Sequence, residues 1–348
     1  MPRSHQDAER TPKERRKNAE GGREILVDQL TRVADETRNP RLAAIARRLG
    51  APLRVAVHGR PGVGRHTVAR ALAAAGVDTG VEVSADGTAD VDVVVAAEVL
   101  KPEDEALLGG GPAVLVLNKA DLCGFGGGGP LAVAHRLAAA WRAGTGVPAV
   151  PMVALLAVAD LDDDLLGVLR VLVAEPADLT STDAFTQCAH SLAVPVRRRL
   201  IERLDRFGIA HAVLALGNGV DAEALPSLWR ELSQVDRVVA QVAAAGAPVR
   251  YHRLKTAIAE IRTLAVQSDD RRLTDLLADD DTVQATMAAA VDVVEAAGVC
   301  VDRGDDPGAH LARAVHWRRY GRGPVDALHR SCAADITRGS LRLLGRTR

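Results

Sequence analysis

The chain reads as an α/β fold in which a mostly parallel sheet is followed by a region built of helices alone. Five short apolar runs, at 53–58, 81–85, 91–97, 113–117 and 149–155, alternate with segments of helical spacing. That is the pattern of strands joined by crossover helices. After Pro176 and the polar stretch from Asp178 to Asp183 the strand signals stop and helical periodicity runs on. With 348 residues, 47% of them hydrophobic, the chain is long enough for two or three cores.

The elements follow in order. Residues 1–22 are charged and lack an apolar core, which predicts a disordered tail. Within 23–50, Glu24 to Glu36 and Arg41 to Leu49 have helical spacing and lead through Ala51-Pro52 into the first strand. Val68 to Ala75 and Leu131 to Trp141 are the helices expected between strands, and Gly124 to Pro130 is expected as a surface loop. A sheet-containing domain is thus drawn over 51–176 and an α-helical bundle domain over 177–348. In the latter, Arg197 to Phe207 puts Leu200, Ile201 and Leu204 on one face, with Gly208 as a stop. Leu228 to Ala245, Val249 to Val266, Thr282 to Ala297 and His310 to Tyr320 read likewise, with Leu225-Pro226-Ser227 as a helix start and Gly246 to Pro248 as a break.

The fourth apolar run ends in Asn118-Lys119-Ala120-Asp121, which reads as a guanine-recognition loop. A carboxylate at Asp121 accepts two hydrogen bonds from the guanine ring N–H and exocyclic amine, Asn118 donates to N7, and the Lys119 stem lies along the ring. Adenine has no matching donor pair, so the wrong base leaves the carboxylate unpaired.

The first run leads into Gly59-Arg60-Pro61-Gly62-Val63-Gly64-Arg65-His66-Thr67. Strand, glycine loop and helix is the context in which backbone N–H groups cradle phosphate oxygens. Its positively charged position holds Arg65, which carries charge but is longer and planar, unlike the point charge of a lysine. His66 occupies the place of a magnesium-binding hydroxyl, and Thr67 comes one residue late, about 100° further round a helix. Arg60 reads as a solvent-exposed loop cation.

With these two motifs the chain resembles the P-loop GTPases of the translation-factor-like class, and most the bacterial dynamin-like GTPases, with a degenerate phosphate loop. The resemblance covers residues 20 to 175 and implies a P-loop GTPase-like sheet, GTP or GDP as ligand, and Mg2+ held through Thr67 if at all. It implies phosphate contacts from Gly59, Arg60, Gly62, Val63, Gly64, Arg65, His66 and Thr67. Asn118, Lys119 and Asp121 are then the guanine contacts, with a backbone N–H from Ala154, which follows Val150-Pro151-Met152-Val153. About fifty residues separate the glycine loop from Asn118, half the usual span, which resembles deletion of the first switch and its strand. The Asp-x-x-Gly motif is absent: Asp86-Gly87 and Asp78-Thr79-Gly80 have the wrong spacing. No residue is available to position water, so slow or no hydrolysis is expected and no catalytic residue is assigned. The resemblance implies a switch or scaffold partnered by a second GTPase or by its own copies. Its alternatives are an active dynamin-like GTPase that remodels a membrane and a nucleotide-free interaction protein.

Other features exclude rather than assign. A net charge of −1 makes no demand for nucleic acid. Cys123, Cys188, Cys300 and Cys332 have neither metal nor redox spacing, which fits a reducing cytoplasm. No secretory signal opens the chain, and its longest apolar stretch, Val147 to Val158, is short and carries Pro148 and Pro151. Asp162-Asp163-Asp164 and Asp279-Asp280-Asp281 sit where helices start and read as first-turn carboxylates rather than metal clusters. After residue 311, Arg313, Arg318, Arg319, Arg322, Arg330, Arg338, Arg342, Arg346 and Arg348 face only Asp326 and Asp335. With Trp317 and Tyr320 interleaved, this end is a candidate peripheral contact for anionic membrane.

Overall fold

The computed structural model describes residues 12–76, 79–84, 88–124 and 126–346. They group into two compact units: Leu53–Ala243, and the residues before Leu53 together with those from Ala244 onward.

The first unit is α/β. Strands β1 (Leu53–Gly59), β2 (Val81–Val83), β3 (Val91–Ala97), β4 (Ala113–Asn118) and β5 (Ala149–Met152) form one sheet in the order β2-β1-β3-β4-β5. Every pairing is parallel. The helices between them are α3 (Arg65–Gly76), α4 (Pro102–Glu105) and α5 (Gly129–Thr145); after β5 come α6 (Ala154–Ala157), α7 (Asp163–Ala174), α8 (Thr182–Gln187), α9 (Val194–Gly217), α10 (Leu225–Ser233) and α11 (Val235–Ala245). β3 and β4 are the centre of the core. Val93, Val95, Val114 and Val116 on one face and Val94, Ala96, Leu115 and Leu117 on the other are all fully buried. A strand covered on both sides has no use for polar alternation, which is why these runs are continuously apolar. Val94, Ala96, Leu115 and Leu117 pack with Trp141, Leu169, Leu200 and Trp229, drawing α5, α7, α9 and α10 onto that face.

The second unit, in its described residues, is helical: α1 (Pro12–Thr37), α2 (Pro40–Gly50), α12 (Ala247–Ser268), α13 (Arg271–Ala278), α14 (Asp280–Ala296), α15 (Pro307–Tyr320) and α16 (Ala327–Arg346). Leu26, Leu30, Ile45 and Leu49 pack against Leu254, Ile261 and Leu273. The packing boundaries therefore fall at 52/53 and 243/244, not at 176/177. α8 to α11 cluster with the sheet because their apolar stripes cover it, and the N-terminal helices find their partners some two hundred residues downstream.

Several local expectations change. α1 starts at Pro12, so 12–22 is helical backbone; residues 1–11 of the expected tail lie outside the described residues. The fifth strand ends at Met152 and Ala154–Ala157 turns helical, because the Val153 N–H leaves the sheet to donate to the Ser233 carbonyl. The Asp86-Gly87 pair lies outside the described residues. Gly208 does not end a helix. α9 continues to Gly217 and is interrupted instead at Asp205, with φ 52° and ψ 177°, while Gly208 gives Leu156 room that a Cβ, at 2.6 Å, would deny. Gln234, in the left-handed region, divides 225–245 into α10 and α11. Asp162 caps α7 by accepting from the Leu165 N–H at 2.9 Å, and Asp279 accepts from the Asp281 N–H at the start of α14.

Part of the arginine-rich end is engaged within the fold. Arg313 is 4% exposed and donates to Ser340 Oγ and to the Asp302 and Gly304 carbonyls, so its role is to fix the loop before α15. Trp317 is 1% exposed in a core with Ala290, Val294 and Ile336, and Tyr320 bonds to His329, so neither aromatic faces outward as a membrane anchor. Arg342 and Arg346 reach Asp280. No described helix is long and apolar enough to cross a membrane.

Candidate functional site

In a parallel sheet of this order, β1 sends its chain towards β2 on one side while β3 continues to β4 and β5 on the other. The crevice outside the carboxyl ends of β1 and β3 is where such folds take ligands. Four loops converge there: 59–65 after β1, 98–101 after β3, 118–123 after β4 and 153–154 after β5.

Asn118 joins three of them. It is the last residue of β4 and 3% exposed. Its Nδ2 donates to the Val63 carbonyl at 2.9 Å and its Oδ1 accepts from the Ala154 N–H at 3.1 Å. A side-chain amide is the group that can donate and accept at once, so one buried residue fixes the glycine loop to the β5 end. The second Nδ2 hydrogen has no acceptor among the described residues. The Ala154 N–H, expected as a base contact, is instead engaged with Asn118.

The glycine loop closes onto this amide. Gly64 has φ +87°, and a Cβ there would lie 2.4 Å from Asn118 Nδ2. Gly64→Ala is therefore expected to destabilise the sheet unit by about 1–3 kcal/mol through left-handed strain and displacement of Asn118, readable as a lowered urea midpoint with an unchanged slope. Beyond Gly64, α3 begins at Arg65, and its first N–H groups point into the loop. The exposed Arg65 and His66 bond to each other, Nη2 to Nε2 at 3.2 Å. Thr67 is half-buried one residue further along α3.

Arg60 is not a solvated loop cation. Its Nε donates to Asp104 Oδ1 at 2.8 Å, and the Asp104 side chain is fully buried. Asp104 Oδ2 accepts from the Lys101 N–H at the start of α4, so one carboxylate ties the loop after β3 to the glycine loop. Its hydrogen bond and charge raise Arg60 above its ordinary pKa. Asp104 was hidden in sequence within Lys101-Pro102-Glu103-Asp104-Glu105, a run that reads as surface charge. Its place three residues after Lys101 at a helix start was the available signal.

Two residues at the strand ends hold left-handed backbone without being glycine: Glu98 after β3, φ 62°, and Lys119 after β4, φ 58°. Such strain persists where the surroundings over-determine it. Burial raises Asp121 above the ordinary carboxylate range; the nearby charge of Asp205 adds to this, and Lys119 and Arg206 oppose it. Asp205 and Arg206, at the break in α9, thus lie close enough for their charges to act on Asp121, a proximity no spacing in the sequence announces. Burial likewise pushes the Cys123 thiol up, with Asp121 and Glu98 adding.

No group of three or more His, Cys, Asp or Glu residues able to hold a metal occurs among the described residues. Searches of known protein families, curated proteins and solved structures find no match to this chain.

Proposed function

We propose that the chain is a guanine-nucleotide-binding protein with a P-loop GTPase-like sheet domain, related to the dynamin-like branch and joined to a helical bundle, and that it acts as a switch or scaffold with slow or no GTP turnover. The observation that carries this reading is the double hydrogen bond of Asn118. It couples a base-recognition loop to a phosphate-type loop at the carboxyl edge of a parallel sheet. The all-parallel order of the five described strands accords with the expected loss of a switch strand.

The residues bind rather than react. Backbone N–H groups of the glycine loop and the first turn of α3 receive the phosphates, with Arg65 adding charge. Arg60, held by Asp104, shapes the loop instead of reaching for the terminal phosphate. The second reading, a nucleotide-free interaction protein, is favoured by the fact that Arg60 and the Ala154 N–H are satisfied without any ligand.

The two are separated by denaturing the purified protein, chromatographing released nucleotide and titrating the emptied protein with fluorescent GDP, GTP and ATP. Release or binding of guanine nucleotide in preference to ATP is expected. An empty protein that ignores all three supports the interaction protein instead. Arg65→Lys with His66→Ser restores a point charge and a hydroxyl, so GTP affinity should become magnesium-dependent and be reduced by EDTA, an effect expected to be absent from the unaltered protein. Turnover should stay far below the 1 per second of an activated GTPase (about that order) in both.

A further inference from the structure

The first turn of α9 contains a buried cation without an anion. Arg197 is 3% exposed, and among the described residues no carboxylate pairs with it. Its Nη1 donates to the Phe185 carbonyl at 2.5 Å and to Cys188 Sγ at 3.0 Å, and its Nε is buried with no hydrogen-bond partner. Burying a guanidinium with an unmet donor and no opposing charge is costly. The sulfur it touches belongs to a half-buried cysteine that closes α8.

An oxygen on that sulfur would meet the need. We propose that Cys188 is an oxidation site, with hydrogen peroxide as the oxidant and the sulfenic acid held by Arg197. The Cys188 sulfur attacks one peroxide oxygen, an S–O bond forms and the O–O bond breaks. Sulfur loses two electrons, peroxide is reduced, and the departing hydroxide carries off the thiol proton as water. The new oxygen can accept from the Arg197 guanidinium, whose Nη1 already touches the sulfur, and if it ionises its charge neutralises that cation.

The other three cysteines lack this arrangement. Cys332 is fully buried, and burial pushes its thiol up to about 11. Cys123 sits beside Asp121 and Glu98, whose charges oppose an anionic product. Cys300 is exposed, and among the described residues no donor bonds to its sulfur. The inference does not depend on nucleotide binding.

The test treats the full chain with equimolar peroxide in the presence of dimedone, which traps sulfenic acid, and measures the adduct at each cysteine by mass spectrometry. Cys188 is expected to carry about fivefold more adduct than the exposed Cys300. Arg197→Lys keeps the charge but lacks the guanidinium, and should cut the Cys188 adduct several-fold while helical circular dichroism is retained. Labelling ranked by exposure, with Cys300 first, overturns the proposal, and that ranking in the unaltered protein decides the matter even if the variant fails to fold. Equal Cys188 labelling in a folded Arg197→Lys protein also overturns it.

Discussion

Asn118→Ala is expected to abolish nucleotide binding and to destabilise the sheet unit together, by about 2–6 kcal/mol for two buried backbone groups left without partners. The Val63 carbonyl loses its donor and the Ala154 N–H its acceptor, in a site where Asn118 is 3% exposed and water cannot readily replace it. Asn118→Asp removes the donor half alone. It keeps an acceptor for Ala154 but sets a carboxylate against the Val63 carbonyl, so it should be no better tolerated than alanine. Thermal unfolding and GDP titration check both effects. An Asn118→Ala protein that unfolds like the parent would mean the amide does not join the loops.

The same residue shows what was legible in the sequence. That Asn118 follows a strand was readable because β4 is buried on both faces and so appears as an unbroken apolar run. What its amide bonds to was not readable, since Val63 lies 55 positions away and the pairing depends on how two loops meet. The Arg60 partner of Asp104 was illegible for the same reason: a helix-start position announces the bond to the Lys101 N–H, but not a cation that arrives from another strand end. Gly208 misled in the opposite direction. Glycine ends helices often, but here it stands within one because Leu156 fills the space of its missing side chain. The strand positions followed from burial, a one-dimensional property of the chain, whereas the unit boundaries depended on which helical stripes find each other.

Asp121→Asn is expected to move preference from guanine to xanthine nucleotides by a factor on the order of 10² to 10⁴, the range over which buried hydrogen-bonding sites discriminate. The carboxylate accepts from both guanine donors; an amide reverses one of these polarities and matches the xanthine carbonyl instead. The pH dependence is a second signature of the same group. Because burial raises Asp121 in the folded chain above its ordinary value of 3.8, the unliganded sheet unit is favoured with the acid protonated, and this contribution is lost as pH rises from that value through the folded one. Binding runs the other way. Only the ionised carboxylate accepts both donors, so GDP affinity should tighten as pH rises through the same window, with a proton released on binding below its upper end. Competition of GDP against xanthosine diphosphate, repeated across the acid range for the parent and for Asp121→Asn, measures both. A parent protein that binds GDP and ADP equally would show that Asp121 does not read the base, and a pH dependence that survives Asp121→Asn would assign the titrating group elsewhere.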